Sequence, residues 1–135
     1  MLPETPAKVL LADESPLFCR LLGNLFEPVA DVRIVATAHD SSAVRSLILE
    51  THPDVLLMSL PVAALDEFHL LRRLRELYPV PVFAYGAADA DASDAGVRAL
   101  EFGVLEVLAR PRNTPQDLAA FVELVTHKIV VATAK

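Results

Sequence analysis

The feature that most constrains the fold is a regular alternation between short Val- and Leu-rich runs and longer segments with helical spacing of apolar residues. Runs such as residues 55–59 are apolar at successive positions, which is typical of a strand covered on both faces of a sheet. The intervening segments repeat their apolar residues at about every third or fourth position. This alternation predicts βαβ units, and therefore an α/β fold built on a doubly wound parallel sheet.

The pattern predicts five strands and five helices. The predicted strands are residues 8–12, 32–36, 55–59, 80–85 and 104–109. Four of the predicted helices are residues 16–26, 65–77, 92–102 and 115–132. The other helix, second in the chain, is capped by Asp40 or Ser41 and ends at Glu50. The leucines expected to face the core are Leu17, Leu21, Leu22 and Leu25 in the first helix and Leu70, Leu71, Leu74 and Leu77 in the third.

Length and composition limit the class of protein. A chain of 135 residues suits one domain, and we expect a single domain over residues 1–135 with a core at about 7–131. The longest apolar stretch, residues 55–65, is interrupted by Ser59 and Pro61 and is too short to span a membrane. No signal peptide is evident, and one cysteine fits a reducing compartment, so we expect a cytoplasmic protein. A net charge of −6 gives no reason to expect nucleic acid or a membrane as partner.

Chemically distinctive residues follow the predicted strands. Asp13 and Glu14 come after the first strand, Ser59 ends the third, Gly86 follows the fourth, and Arg110 follows the fifth. Because sites in open parallel sheets form at the carboxyl ends of the strands, we expect these side chains to converge on one edge. No Gly-rich phosphate loop is present, so the sequence does not support nucleotide binding.

Four segments carry a resemblance to a known family: KVLLADESP, THPDVLLMSLP, VPVFAYGA and ALEFGVLEVLARP. In this order and spacing, the chain resembles the receiver domain of bacterial two-component response regulators. Within that family it is most similar to the receiver of chemotaxis-type protein-glutamate methylesterases. The resemblance implies a flavodoxin-like (βα)5 fold with strand order 2-1-3-4-5.

The resemblance also implies a phosphorylation pocket, in which this chain departs from the family pattern. Receivers use an acidic pair for Mg²⁺, which matches Asp13 and Glu14. The phosphoacceptor aspartate position is Ser59, the Thr or Ser position after the fourth strand is Gly86, and the lysine position is Arg110. The pocket of Asp13, Glu14, Ser59, Gly86 and Arg110 is therefore interpreted as degenerate.

The chemistry expected of this pocket is correspondingly reduced. Ser59 offers a neutral hydroxyl, and the sequence indicates no neighbouring base, so it is either a small filler or a weakly activated phosphorylation site. Arg110 is expected to pair with Asp13 or Glu14 and to occupy the space of a Mg²⁺ ion. We assign no cofactor and no metal, although Asp13 and Glu14 alone are weak Mg²⁺ candidates. The family's aromatic position on the fifth strand is Val107.

The last helix carries a second apolar stripe. The stripe expected to face the sheet is Leu118, Phe121, Val122, Val125 and Ile129. Ala120, Leu124 and Val131 form the other, and a surface helix of a small domain normally shows only one. The second stripe is either an interface, for a signalling partner or for a second copy in a homodimer, or the beginning of a linker to another domain.

Other candidate groups favour structural roles. Cys19 lies in an apolar helix and is interpreted as an inert core thiol. The four histidines lie at positions 39, 52, 69 and 127, without ligand spacing or an evident catalytic partner, so no metal site and no triad are predicted. Arg72, Arg73 and Arg75 form a small basic cluster, expected to be a solvated face paired with Glu67 or Glu76.

Two functional hypotheses remain from the sequence. The first is a receiver-like domain that is not phosphorylated at the usual position and acts through protein–protein interaction in signalling. The alternative is the regulatory receiver of a larger enzyme, such as a protein-glutamate methylesterase. An enzymatic activity of these residues themselves is not expected, because the sequence offers no paired nucleophile and base and no catalytic residue is assigned.

Overall fold

The computed structural model describes residues 5–87 and 89–134, and its centre is a sheet of five parallel strands. The strands are β1 (Ala7–Ala12), β2 (Val32–Ala38), β3 (Val55–Ser59), β4 (Val82–Gly86) and β5 (Glu106–Ala109). Their order is β2-β1-β3-β4-β5. The predicted α/β class and the strand order 2-1-3-4-5 are thereby confirmed.

Helices cover both faces of the sheet. They are α1 (Pro16–Phe26), α2 (Ser41–Thr51), α3 (Leu60–Leu65), α4 (His69–Leu77), α5 (Asp94–Glu101) and α6 (Pro115–Thr133), with a 3₁₀ turn at Ala90–Ala92. Because side chains alternate along each strand, Leu10 and Leu56 pack beneath α2, α3, α4 and α5. Leu11 and Leu57 pack beneath α1 and α6 on the other face. All five residues of β3 are buried, as expected for the central strand.

The largest difference from the prediction lies between β3 and β4. The leucine spacing predicts one helix over residues 65–77, whereas the structure has two, α3 and α4. Ser59 accepts the N–H of Val62 and Pro61 lies in the first turn, so α3 begins directly after β3. Glu67 and Phe68 then adopt left-handed backbone conformations, with φ of 56° and 63°. The prediction is wrong because this cap and proline start a helix earlier than the leucine pattern indicates.

Four boundaries also differ by two residues. β2 ends at Ala38 rather than at residue 36. β4 begins at Val82 rather than at residue 80, since Pro81 has no N–H to donate to the sheet. β5 begins at Glu106 rather than at residue 104. α5 begins at Asp94 because Ser93 accepts the N–H of Gly96 and caps the helix there.

Two leucines predicted to face the core are exposed. Leu17 is 74% exposed and Leu77 is 67% exposed. Leu17 lies two residues before buried Cys19, which on an α-helix places it on nearly the opposite side. Leu77 is the last residue of α4. In the part of the chain that the structure describes, no helix combines the length and apolar character needed to cross a membrane.

Candidate functional site

The residues that the sequence places after the strands do meet at the carboxyl edge of the sheet. Ser59 and Gly86 are the last residues of β3 and β4, and Asp13 and Arg110 directly follow β1 and β5. Asp13 and Ser59 are completely buried. Glu14 is exposed at the rim, and Gly86 and Arg110 are partly buried.

Asp13 is a buried carboxylate that accepts three hydrogen bonds. Its Oδ1 accepts from the backbone N–H of Ser15 at 2.8 Å. Its Oδ2 accepts from the hydroxyl of Tyr85 at 2.6 Å and from Nη1 of Arg110 at 2.7 Å. Both oxygens are therefore satisfied inside the protein, which a buried charge requires. Burial, followed by the negative charge of Asp13, raises the pKa of Tyr85, so this residue stays a neutral donor.

Arg110 is held in place by more than its ion pair. Its guanidinium carbon lies 3.8 Å from the ring centroid of Phe18 and 5.8 Å from that of Tyr85. Its backbone N–H donates to the carbonyl of Gly86 at 2.6 Å. The guanidinium is planar and permanently charged, so it can stack on an aromatic ring while it donates to a carboxylate. The side chain of Arg110 is 34% exposed, whereas that of Asp13 is completely buried.

Ser59 has a carboxylate neighbour that the sequence did not indicate. Its hydroxyl donates to Oε1 of Glu14 at 2.9 Å and accepts the N–H of Val62 at 3.2 Å. The expectation that no base lies beside Ser59 is thus wrong. A carboxylate is, however, a weak base toward an alcohol, and the hydroxyl of Ser59 already caps α3. Ser59 is therefore the hydrogen-bonded N-cap of α3, and its hydroxyl is not activated as a nucleophile.

The space beside Gly86 is filled by its neighbours. A Cβ atom at this position would lie 2.9 Å from Cδ1 of Leu60 and 3.0 Å from Cβ of Ala90. Distances this short require the neighbours to move. Val107 on β5 is buried, with 8% of its surface exposed. Neither position carries a hydroxyl or an aromatic ring that could move between two arrangements.

The residues present do not fit a Mg²⁺ ion at this edge. Mg²⁺ prefers an octahedral set of oxygen ligands that includes one or two carboxylates and several waters. Both oxygens of Asp13 already accept donors, one of which is the guanidinium of Arg110, and Glu14 accepts from Ser59. Within residues 5–87 and 89–134, no group of three or more His, Cys, Asp or Glu side chains is placed to hold a metal.

Cys19 and His39 lie beside Asp13 but do not form a reactive pair. The thiol sulfur lies 3.8 Å from Nδ1 of His39, which itself lies 2.9 Å from the carbonyl oxygen of Asp13. Since a carbonyl only accepts, Nδ1 carries the proton and cannot take one from the thiol. Burial and the charge of Asp13 raise the pKa of Cys19 from 9.0 to about 11. A neutral, buried thiol agrees with the predicted structural role.

A family model described as the response regulator receiver domain matches residues 9–123. The chain belongs to this family. In open parallel sheets, sites form at the carboxyl ends of the strands. At that edge of this receiver, Arg110 pairs with Asp13, and Ser59 donates to Glu14.

Similar sequences include the receiver parts of larger enzymes. The chain is 32% identical over 126 residues to the protein-glutamate methylesterase/protein-glutamine glutaminase of Chromohalobacter salexigens, covering 93% of the chain and 36% of the relative. It is 30% identical to the protein of the same name from Thiobacillus denitrificans, covering 93% of the chain and 35% of the relative. The chain thus spans about a third of the length of these relatives.

Solved receiver structures share the fold. The response regulator domain of Thermotoga maritima CheB superposes with a TM-score of 0.81 at 19% identity, covering 96% of this chain and 98% of that one. A chain from the crystal structure of the P1 domain of CheA3 in complex with CheY6 from R. sphaeroides gives a TM-score of 0.77 at 18% identity, covering 95% and 99%. At these identities the likeness concerns the fold alone.

Three residues of this receiver's pocket were not identified from the sequence: Tyr85, Phe18 and Leu60. Tyr85 lies within the otherwise apolar strand segment VFAYG, and a buried tyrosine hydroxyl normally needs a hydrogen-bond partner. That rule could have pointed to Asp13. No comparable signal exists for Phe18 or Leu60, because apolar residues in helices are commonly core residues.

Proposed function

We propose that this chain is an atypical receiver domain of two-component or chemotaxis-type signalling that is not phosphorylated at the usual position and acts through protein–protein interaction. The observation that carries the proposal is the contact of Arg110 Nη1 with Asp13 Oδ2 at 2.7 Å. The protein's own cation takes the charge-neutralising place that a bound divalent ion would take beside Asp13. A cytoplasmic location belongs to the same proposal, as expected for a member of this family.

The acceptor position supports this interpretation. Phosphoryl transfer to a receiver needs a nucleophilic carboxylate, and Ser59 supplies a buried hydroxyl that caps α3 and donates to Glu14. Ser59 is completely buried, so an attacking phosphodonor would have to displace both hydrogen bonds. We therefore interpret Ser59 as a structural residue and not as an alternative phosphorylation site.

Residues 86 and 107 also lack the side chains expected to respond to phosphorylation, a hydroxyl after β4 and an aromatic ring on β5. A phosphoryl group changes a protein's state only if it binds two conformations with different affinity. Gly86 has no side chain, and its space is occupied by Leu60 and Ala90. Val107 is buried and lacks an aromatic ring. We infer that the domain holds one conformation at this edge regardless of phosphodonor.

The proposed contact surface lies on α6. Leu124 and Val131 are 45% and 63% exposed, and Ala120 is exposed beside them. Three further apolar side chains of the described chain are exposed, Val97 and Leu100 on α5 and Leu105 just before β5, at 45%, 42% and 56%. Apolar patches of this kind mark interaction surfaces. A signalling partner or a second copy of the chain are the two proposed occupants.

The alternative proposal is that the domain regulates a larger enzyme. The similarity to protein-glutamate methylesterases over 93% of the chain favours it, since those relatives are about three times as long as the matched region. Under either proposal the residues of this chain bind and position, and carry out no chemical step. The coding sequence on both sides of the region decides between the two.

Intact-mass analysis after incubation with acetyl phosphate and Mg²⁺ tests the lack of phosphorylation. We expect no increase by the mass of a phosphoryl group, and a stoichiometric adduct would overturn the proposal. The Ser59→Asp variant should not regain a Mg²⁺-dependent conformational response, because Gly86, Val107 and Arg110 remain. A full response in that variant would show that Ser59 alone separates this chain from a working receiver.

Sedimentation velocity tests the proposed surface on α6. If the second apolar stripe is a homodimer interface, the wild-type protein sediments as a dimer at high concentration and Leu124→Glu sediments as a monomer. Leu17→Glu is the matched control, since Leu17 is 74% exposed on α1, which lies outside the stripe. Monomeric behaviour of the wild type would exclude the homodimer and leave the signalling partner as the proposed occupant.

A further inference from the structure

A groove between α2 and α4 combines an apolar floor with a cationic rim. Its volume is about 320 Å³. The floor is formed by Ile48, Leu70 and Leu74, which are 2%, 2% and 7% exposed. The floor is apolar, whereas the rim is charged. The rim carries the exposed guanidinium groups of Arg45 on α2 and Arg73 on α4.

The basic cluster of α4 is not neutralised as the sequence predicts. Glu67 and Glu76 are the expected partners, yet among residues 5–87 and 89–134 no carboxylate forms an ion pair with Arg72, Arg73 or Arg75. The same holds for Arg45 on α2. The neighbouring Arg72 instead lies over the ring of Phe102, at 5.7 Å from its centroid. Of the residues that the structure describes, no aspartate or glutamate lines the groove.

Two exposed leucines border the same groove. Leu49 on α2 is 66% exposed, and Leu77 at the end of α4 is 67% exposed. Leu77 is the residue that helical spacing predicts to be buried. Tyr78 lines the end of the groove, and its ring stacks on that of His52 with centroids 6.3 Å apart. The groove therefore offers large apolar side chains that have no covering element among the described residues.

We propose that this groove docks an acidic amphipathic helix of another protein, with its leucine-type side chains on the apolar floor and its carboxylates on Arg45 and Arg73. Helices that bind grooves present apolar anchors along one face, at i, i+3 or i+4, and i+7. The argument for an acidic partner is charge complementarity. The protein has a net charge of −6, whereas the rim of this groove carries two arginines.

This surface is independent of the pocket around Asp13 and of the apolar stripe on α6. It involves only α2, α4 and Tyr78. If no acidic helix binds the groove, the proposed function is unaffected. If the domain proves to be phosphorylated, the groove proposal is unaffected. The groove adds a second contact surface that selects its partner by negative charge.

Fluorescence anisotropy with a designed peptide tests the proposal. The probe is a fluorescein-labelled amphipathic peptide of about four helical turns, with leucine on one face and glutamate on the other. We expect saturable binding to the wild-type domain, weakened about tenfold or more by Arg73→Glu and further weakened by raised salt. A second peptide with every glutamate replaced by lysine should not bind.

Matched variants separate the groove from general surface effects. Arg33→Glu changes an exposed arginine on edge strand β2, and Leu17→Ala removes an exposed leucine on α1. Both should bind the acidic peptide like the wild type, whereas Leu77→Ala should bind it more weakly. Circular dichroism spectra that coincide for all four variants show that folding is unchanged.

Several results would overturn the proposal. They are the absence of saturable binding to the wild type, equal binding by Arg73→Glu, or equal binding of the lysine peptide. Two other occupants are tested in parallel. Self-association that Arg73→Glu abolishes would assign the groove to a second copy, and binding to phosphatidylglycerol vesicles without binding to the peptide would assign it to an anionic lipid surface.

Discussion

Nη1 of Arg110 lies 2.7 Å from Oδ2 of Asp13, so a fixed cation at the end of β5 is joined to a completely buried carboxylate at the end of β1. These residues are 97 positions apart in the chain. The pair therefore links opposite parts of the sequence across the carboxyl edge of the sheet. A buried charge whose partner is covalently part of the protein does not depend on an exchangeable ion.

Removal of the guanidinium should leave Asp13 as a buried charge with one donor fewer. Arg110→Met is expected to lower the free energy of unfolding by about 2 kcal/mol, less than for a fully buried pair because Arg110 is 34% exposed. Urea denaturation measures the change.

Arg112 provides the control for this prediction. It pairs with Asp117 at 2.6 Å, but its side chain is 85% exposed. Arg112→Met should lower the free energy of unfolding by less than about 0.5 kcal/mol. Equal effects of the two substitutions would contradict a structural role for the Asp13 pair.

The hydroxyl of Tyr85 should stabilise the same carboxylate. Tyr85→Phe removes a buried donor 2.6 Å from Asp13, and we expect a loss of about 1–2 kcal/mol in unfolding free energy. Tyr78→Phe is the control, since its hydroxyl makes only an exposed 3.5 Å contact with His52. In a double-mutant cycle, Tyr85→Phe and Arg110→Met should be non-additive because they share one acceptor oxygen.

The space at Gly86 should not accept a hydroxyl side chain. Gly86→Thr is expected to lower the free energy of unfolding by about 1–3 kcal/mol, because Leu60 and Ala90 occupy the position. In a Leu60→Ala background, Gly86→Thr should cost less, because the closest atom has been removed. Gly23→Ala has nothing within 4 Å of the added carbon and should be neutral or stabilising.

The thiol of Cys19 should react slowly in the folded protein. With a pKa of about 11, roughly one thiol in a thousand is ionised at pH 8, and the group is buried as well. Ellman's reagent should therefore modify the native protein much more slowly than the urea-unfolded protein. Comparable rates in the two states would show that Cys19 is accessible and activated.

The same shift predicts how stability changes with pH. The folded state keeps the Cys19 proton up to about pH 11, whereas the unfolded chain releases it near pH 9. The native state then binds more protons than the unfolded state, so the free energy of unfolding decreases as pH rises from 9 to 11. Cys19→Ala should remove this part of the decrease, and Tyr85, whose pKa is also raised, should account for a further part above pH 10.

The sequence predicts the sheet well because the relevant signals are local and repeated. Runs such as β3 are apolar at every position, and the carboxyl ends of parallel strands meet by topology alone. The order of elements along the chain is therefore enough to place Asp13, Ser59 and Arg110 at one edge. Because Arg110 is positively charged, the sequence also predicts that it pairs with one of the two acids at this edge, Asp13 or Glu14.

Other features depend on contacts that are distant in the sequence. The split of the third predicted helix into α3 and α4 follows from the cap at Ser59 and from the burial of Phe68 against Phe102, with ring centroids 5.8 Å apart. The hydrogen bond from Tyr85 to Asp13 joins residues 72 positions apart. The closure of the space at Gly86 depends on the side-chain position of Leu60, which no spacing rule provides.

Arg110 and Tyr85 already donate to the buried carboxylate of Asp13, and we propose that this edge therefore does not bind Mg²⁺ or a phosphoryl group. The most direct test is a ¹H–¹⁵N NMR titration with Mg²⁺ followed by beryllofluoride, a stable analogue of the phosphoryl group. We predict that the amide signals of Asp13, Ser59, Gly86 and Arg110 do not shift in either step beyond the effect of ionic strength. Saturable shifts of these amides would contradict the account.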